Sequence, residues 1–204
     1  MKSLKQTYND IALEWSKRRP VEWMQNSIDK FVSLFNQGDS ILDVGCGSGD
    51  KSAYMIEKGL NVTGVDFSEK MIEIAKREVP KGEFHVMDIN KLDDLNKEFD
   101  GIFARAVLLH IPKKEIPIIL SKLKNCIKDH GYLYIAVKEK RAGENDEEVV
   151  KENDYGSDIE RFFSYFTLPE LEKILSDAHL NIVFSEITTV KSGTRKWIQI
   201  IAKK

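Results

Sequence analysis

Three carboxylates, a glycine turn and a few neighbouring side chains are the residues of this chain most suited to chemistry. Asp43 stands two residues before Gly45-Cys46-Gly47-Ser48-Gly49, and Asp66-Phe67, Asp88-Ile89 and Ala104-Arg105 follow at separate points downstream. Each group lies at the end of a short apolar run, where the site of an open α/β sheet is found. A nucleotide-type ligand is the natural occupant. A dinucleotide would need G-x-G-x-x-G and a helix start free of negative charge, because its pyrophosphate rests there. Here the spacing is G-x-G-x-G, and Asp50 occupies the place of the last dinucleotide-motif glycine. Carboxylates at that point repel a pyrophosphate. They suit a ligand carrying an ammonium and a sulfonium, as S-adenosylmethionine does. Gly45, Gly47 and Gly49 allow close backbone approach to the amino-acid end of such a ligand. Asp66 can accept both ribose hydroxyls, Asp88 can accept from the adenine amine, and Phe67 and Ile89 can sandwich the ring.

The elements that must position these residues alternate in type. Ile41–Val44 reads as a buried strand, followed by the glycine turn and a helix over about Asp50–Lys58 that Gly59 terminates. Asn61–Asp66 reads as a second strand. Ser68 caps the next helix, with Met71, Ile72 and Ala75 on its inner face. Glu83–Asp88 and Phe99–Ala104 read as the third and fourth strands. A helix through Ile116, Ile119, Leu120 and Leu123 leads to a fifth strand at Gly131–Val137. Glu139 to about Glu160 is polar and acidic and reads as a mobile loop, in the manner of a lid. A last helix covers Thr167–Asp177. Strands at Ile182–Ile187 and Trp197–Ala202 follow, joined by a turn at Lys191-Ser192-Gly193 so short that they must pair antiparallel. Before all of this, the first forty residues read as helical, with Tyr8, Ile11, Ala12 and Trp15 on one face and Ile28, Phe31, Val32 and Phe35 on another. Strand–helix alternation of this kind predicts a parallel sheet with helices on both faces.

The chain has 204 residues and is 42% hydrophobic, which suits one domain with one core. Its parts read as 1–38, an N-terminal helical lid; 40–138, the cofactor-binding core; 139–166, an acidic loop and substrate region; and 167–204, a helix and hairpin. The net charge of -2 does not suit a protein that grips a phosphate backbone with its whole surface. No stretch approaches the roughly 20 apolar residues of a membrane span, and a cytoplasmic location is expected. Cys46 and Cys126 stand far apart, and the four histidines are scattered, so no protein-held metal is expected.

At these residues the chain resembles a known family. Ile41-Leu42-Asp43-Val44-Gly45-Cys46-Gly47-Ser48-Gly49 is similar to the first motif of class I S-adenosylmethionine-dependent methyltransferases. Val65-Asp66-Phe67-Ser68 with Met71 resembles the second, and His85-Val86-Met87-Asp88-Ile89 the third. The fourth is matched by Phe99-Asp100-Gly101-Ile102-Phe103 through Leu109-His110-Ile111-Pro112. The resemblance implies a Rossmann-like three-layer αβα sandwich around a seven-stranded mixed sheet of order 3-2-1-4-5-7-6, with strand 7 antiparallel. It implies that Asp43, Gly45 and Gly47 hold the methionine portion of S-adenosylmethionine, Asp66 the ribose, and Asp88 and Ile89 the adenine. Cys46, Gly49, Phe67 and Met71 belong to the same cofactor motifs. Ala104 and Arg105 lie beside the methionine end, and Tyr8 covers the cofactor. The product would be S-adenosylhomocysteine.

Methyl transfer from a sulfonium depends mainly on near-attack positioning. A general base matters only where the acceptor must lose a proton. His110 is the candidate for that role, although a structural position under the site is the preferred reading. Arg105 stands where a small residue is expected and could clamp an anionic acceptor. Arg161 and Tyr165 could recognise a small carboxylate or phosphate. A small-molecule acceptor is the first expectation, for a monomer or homodimer that is not membrane-bound. Two alternatives stay open. Tyr8–Ser16 with Arg19, and Arg161–Phe166 with Glu170-Leu171, also resemble the tRNA wobble-uridine carboxymethyl methyltransferases, which would make RNA the partner and place a basic patch at Arg18, Arg19, Arg195 and Lys196. The other is a protein that binds S-adenosylmethionine without catalysis.

Overall fold

The computed structural model describes residues 2–17, 25–189 and 195–204. Helices α1 (Leu4–Lys17) and α2 (Gln25–Val32) precede strand β1 (Ser40–Val44), helix α3 (Asp50–Glu57), β2 (Asn61–Asp66), α4 (Glu69–Glu78), β3 (Glu83–Val86) and β4 (Phe99–Arg105). Then come α5 (Ile116–Asn125), β5 (Ile127–Lys138), β6 (Glu147–Asp154), β7 (Ser157–Ser164), α6 (Leu168–Asp177), β8 (Asn181–Thr189) and β9 (Lys196–Lys203). The main sheet has seven strands in the order β3-β2-β1-β4-β5-β9-β8. β1 through β5 run parallel, and β9 lies antiparallel between β5 and β8. The expected order and its antiparallel strand are present, with two extra strands, β6 and β7, inserted outside the sheet. The turn expected at Lys191-Ser192-Gly193 lies outside the described residues, as do Arg18 and Arg19.

Strand parity divides the core into two faces. Ile41, Phe103, Tyr134 and Ile201 pack with Ile28 and Phe31 of α2 and Met55 of α3. Leu42, Ile102, Leu133, Ile135 and Ile200 pack on the other face with Ile116, Leu120 and Leu123 of α5 and Leu171 and Leu175 of α6. Helix starts follow their sequence signals. Ser68 accepts from the Met71 amide, and Thr167 and Glu170 form a reciprocal capping box at the start of α6. Both sides of the sheet are therefore covered, and the buried polar cluster on its α2 face, Ser27, Tyr134 and Gln199, is internally hydrogen-bonded.

One expectation is corrected. The acidic stretch is largely a hairpin, with β6 and β7 paired from Glu147↔Ser164 to Asp154↔Ser157. Its two-residue turn, Tyr155-Gly156, has φ of 56° and 74°, the conformation that matches the twist of paired strands. Charge did not keep this segment loose, because its carboxylates are partnered. Glu144 receives Arg195, Asp146 receives Lys113 and Lys140, Glu148 receives the Tyr165 hydroxyl and Glu152 receives Arg161. Ile159, Arg161 and Phe163 alternate inward and are buried.

Candidate active site

The strand order reverses between β1 and β4, and the crevice outside their carboxyl ends is where α/β sheets bind ligands. A cavity of about 480 Å³ lies there. Asp43, Gly45, Cys46 and Gly47 reach it from the end of β1, Asp66 and Phe67 from β2, and Asp88 and Ile89 from beyond β3. Arg105 and His110 line it from beyond β4, Met71 from α4, and Tyr8 from α1. That volume suits a nucleoside-sized ligand, since small-molecule sites run to roughly 300–1,000 Å³. A larger groove of about 630 Å³ separates α1 from the hairpin. Its charges are largely paired with one another, Lys2 with Asp10 and Lys151 with Glu160, and no strand of the seven-stranded sheet ends in it.

Local geometry explains why the turn must be glycine-rich. Gly45 has a φ of 67°, and a β-carbon there would stand 2.4 Å from Val107 Cγ2. Gly47 has a φ of 54°, and its amide donates to Asp66 Oδ2 at 3.0 Å. The Ser68 amide donates to Asp66 Oδ1 at 2.8 Å. Two backbone donors thus fix the carboxylate at the tip of β2, while burial pushes its pKa up. Asp88 Oδ1 accepts from the Asn90 amide at 2.8 Å and caps a short 3₁₀ stretch, Ile89–Leu95. The strand expected to reach Asp88 ends at Val86 for that reason.

Asp43 points toward α3, where it accepts the Ser52 hydroxyl at 2.6 Å. It is 3% exposed, and burial raises its pKa to about 7, with Asp50 and Asp66 adding to the shift. A cation brought into the cavity would relieve that charge crowding.

His110 occupies the middle of a chain of hydrogen bonds. The Phe162 carbonyl, 2.8 Å from Nδ1, can only accept, so Nδ1 carries the proton. Nε2 then accepts from the Tyr8 hydroxyl at 2.8 Å. Tyr8 in turn accepts from Arg161 Nη1 at 3.3 Å, and Arg161 pairs with Glu152 at 2.6 Å. Burial holds His110 neutral, with a pKa lowered to about 3, and pushes Tyr8 up to about 12. The chain ties α1 to the hairpin across the cavity mouth. Trp15 of α1 adds a ring contact with Tyr155 at 5.2 Å.

Several sequence candidates are placed elsewhere. Gly49 does not line the cavity; it has a φ of 84° and faces Val79, Ala75 and Phe84. Ala104 is fully buried in the core on the α5 face. Arg161 and Tyr165 also stand back from the cavity, because their polar groups are committed to Glu152, Tyr8 and Glu148. Arg195 is held by both oxygens of Glu144 and covers the Tyr165 ring at 4.6 Å, so it contributes no open basic patch. Sequence reasoning missed Lys51, Ala106, Val107 and Trp197, all of which line the cavity. Ala106 carries a φ of 59°, uncommon for a residue with a β-carbon and frequent at functional sites. Only Lys51 had a readable signal, in its position beside Asp50 at a helix start.

Comparison with known proteins bears on the family and the fold. A methyltransferase domain family model matches residues 15–184. The ubiquinone biosynthesis O-methyltransferase of Coxiella burnetii (strain Dugway 5J108-111) is 30% identical over 142 residues, covering 63% of this chain and 58% of that protein. The chain thus spans less than two thirds of that relative's length. Among solved structures, a SAM-dependent methyltransferase from Methanosarcina mazei has a TM-score of 0.73 at 24% identity, covering 87% of this chain and 96% of the other. Magnesium protoporphyrin IX methyltransferase from Synechocystis PCC 6803, with bound SAH, has a TM-score of 0.74 at 19% identity and covers 98% and 97%. At such identities the structural likeness speaks for the fold.

Proposed function

The chain belongs to the methyltransferase domain family, and from that premise we propose that it is an S-adenosylmethionine-dependent methyltransferase with a small-molecule acceptor. The observation that carries the reading is the convergence of Asp43, the Gly45–Gly47 backbone, Asp66 and Asp88 on one cavity at the strand-order reversal. The residues fit the cofactor. Asp66, already oriented by two amides, would accept the ribose hydroxyls. Asp88, Ile89 and Phe67, which line the cavity beyond β2 and β3, would hold the adenine. Asp43 and Asp50 set a negative field for the ammonium and the sulfonium.

When bound, S-adenosylmethionine supplies a methyl group activated on sulfur. The protein's part is then positioning and exclusion of water. Tyr8 and Trp15 close over the cavity from α1. His110, its Nε2 already filled by the Tyr8 hydroxyl, acts as the latch that holds Tyr8 and not as a general base. A small acceptor accords with the cavity's size and with the ubiquinone-pathway name of the Coxiella burnetii relative.

The test is incubation with methyl-tritiated S-adenosylmethionine and a fractionated cell extract. Label in the small-molecule fraction is the expected result. Label in nuclease-sensitive RNA would overturn the acceptor class. Cofactor binding with no label in any fraction would leave a binding protein in place of an enzyme.

A further inference from the structure

Strand β5 ends on a lysine beside the cavity, on the side away from Asp66 and Asp88. Alternation along the strand puts Lys138 on the face of Tyr134 and Ala136, directly opposite Trp197 of β9. Opposed side chains of an antiparallel pair start about 5 Å apart, and Trp197 lines the cavity. The far end of the lysine is placed as well. Its Nζ lies 3.5 Å from the centre of the Phe163 ring, and that ring is 4.9 Å from the imidazole of His110, which also lines the cavity. Stem and head of Lys138 each stand one residue from the wall, where Phe103 and Trp197 supply aromatic surface.

The ammonium has no anion of its own. The carboxylates whose charge it feels, Glu152 and Glu144, are each bound by an arginine at 2.6 Å, Arg161 and Arg195. Among the described residues none forms an ion pair or a hydrogen bond with Lys138 Nζ, whose contact is the face of Phe163. The two ion pairs balance, and His110, its pKa lowered by burial with the Arg161 and Lys138 charges adding to the effect, brings no charge. Burial lowers the Lys138 pKa from 10.5 to about 8; Arg161 and Arg195 add to the shift, and Glu152 and Glu144 oppose it. A lysine drawn out of water beside other cations is the form in which this side chain serves as a base. The neighbouring alternatives are committed: His110 Nε2 is filled by the Tyr8 hydroxyl, and Asp43 accepts from Ser52. A lysine on a flexible four-carbon stem can exchange a ring face for a charge-assisted hydrogen bond, which is the stronger contact.

We propose that Lys138 takes the proton of the methyl acceptor, and that the acceptor's reacting group is a phenol or enol hydroxyl. This inference rests on the methyl-transfer reading of the same cavity. The acceptor's O–H proton passes to Lys138 Nζ as its oxygen bonds to the methyl carbon, and the bond from that carbon to sulfur breaks with its electron pair left on sulfur. Acidity selects the acceptor. A phenol such as that of tyrosine titrates near about 10, so its proton is within about a hundredfold of an amine that titrates at about 8. An aliphatic alcohol holds its proton far more tightly, and a neutral amine attacks through its lone pair without losing one first.

The probe is 4-nitrophenol, whose anion alone is yellow, added to protein loaded with S-adenosylhomocysteine. Bound probe is expected to turn yellow about one pH unit below the range in which free probe ionises. Lys138→Met should abolish that shift while S-adenosylhomocysteine affinity stays within about threefold. Calorimetry at about pH 9, in buffers of different ionisation enthalpy, then locates the proton. Wild-type protein should take up more than about half a proton per bound anion, because an amine that is free above its own pKa becomes an ammonium in the complex. Lys138→Arg should bind the anion with no uptake, since arginine is already charged. Probe that stays colourless or unbound on wild-type protein would overturn the assignment. So would an equal colour shift in Lys138→Met, or proton uptake in Lys138→Arg equal to that of wild type, because another group would then be the acceptor of the proton. Tight S-adenosylhomocysteine binding without probe ionisation sinks Lys138 alone. Probe ionised through Lys138 on a protein that does not bind S-adenosylhomocysteine would keep the lysine assignment and overturn the methyl-transfer reading.

Discussion

Asp43→Asn is the substitution from which the most can be learned, because it removes one titrating group and little volume. The folded-state carboxyl titrates at about 7 instead of its ordinary 3.8. A rise of that size makes the ionised folded form roughly 4 kcal/mol less stable than an unshifted acid would leave it. Below pH 3.8 both folded and unfolded chains hold the proton and the contribution to stability is fully present. It is lost as pH rises from there through 7, since the folded state binds the extra proton across that window. His110 opposes it. Its folded pKa lies at about 3 against 6.5 in an open chain, so its contribution is present above 6.5 and is lost as pH falls toward 3. The two slopes nearly cancel between about pH 4 and 6.5, and Asp43→Asn unmasks the second. Urea unfolding of variant and wild type should show the variant gaining up to about 1.4 kcal/mol per pH unit relative to wild type between pH 4.5 and 7, then levelling. The cofactor connects this to function. An ammonium beside Asp43 pulls its pKa down, so binding near pH 7 should release about half a proton. Calorimetry in buffers of different ionisation enthalpy reads that number, and in Asp43→Asn this group's share should vanish. A stability difference between variant and wild type that does not change from pH 5 to 7.5 would refute the reasoning.

Three other perturbations test separate parts of the site. Asp66→Ala should weaken S-adenosylhomocysteine binding by about a hundredfold or more, because two hydrogen bonds to a charged acceptor are lost; circular dichroism should show the fold retained. Gly45→Ala should destabilise by about 2–4 kcal/mol in urea unfolding, combining the left-handed φ with the close approach to Val107 Cγ2. Adding Val107→Ala should recover the steric share and leave the backbone share. Tyr8→Phe leaves His110 Nε2 without its donor and Arg161 without one acceptor, so amides of α1 should exchange faster with solvent and stability should fall by about 1–3 kcal/mol.

Much of this protein is legible in its sequence because the relevant signals are local. Apolar runs such as Ile41–Val44 and Asn61–Asp66 specify strands buried on both faces, and their ends fall where the glycine turn, Asp66 and Asp88 stand. Ser68 and Thr167 mark helix starts through hydrogen bonds spanning three residues. The antiparallel final strand follows from the short connection between β8 and β9. The same locality is why the crevice composition, and with it the cofactor expectation, could be read residue by residue.

What the sequence does not determine is which distant charges meet. The acidic stretch reads as a loop because its carboxylates look solvated; Arg195, Lys113 and Arg161 neutralise them only after β9, the turn before α5 and β7 are in place. Arg161 looks like a substrate contact until Glu152 and Tyr8 take it up. In the sequence His110 is a candidate base with a structural position the preferred reading, and only the fold brings its Nδ1 to the Phe162 carbonyl, 52 residues away in the chain, and its Nε2 to Tyr8. Trp197 carries no local signal of a site, and only the register of β9 against β5 turns it toward the cavity with Lys51 and Arg105. Backbone preferences and hydrophobic periodicity act over a few residues and so are written in the sequence. The pairing of buried charges acts through space, and only the tertiary structure decides it.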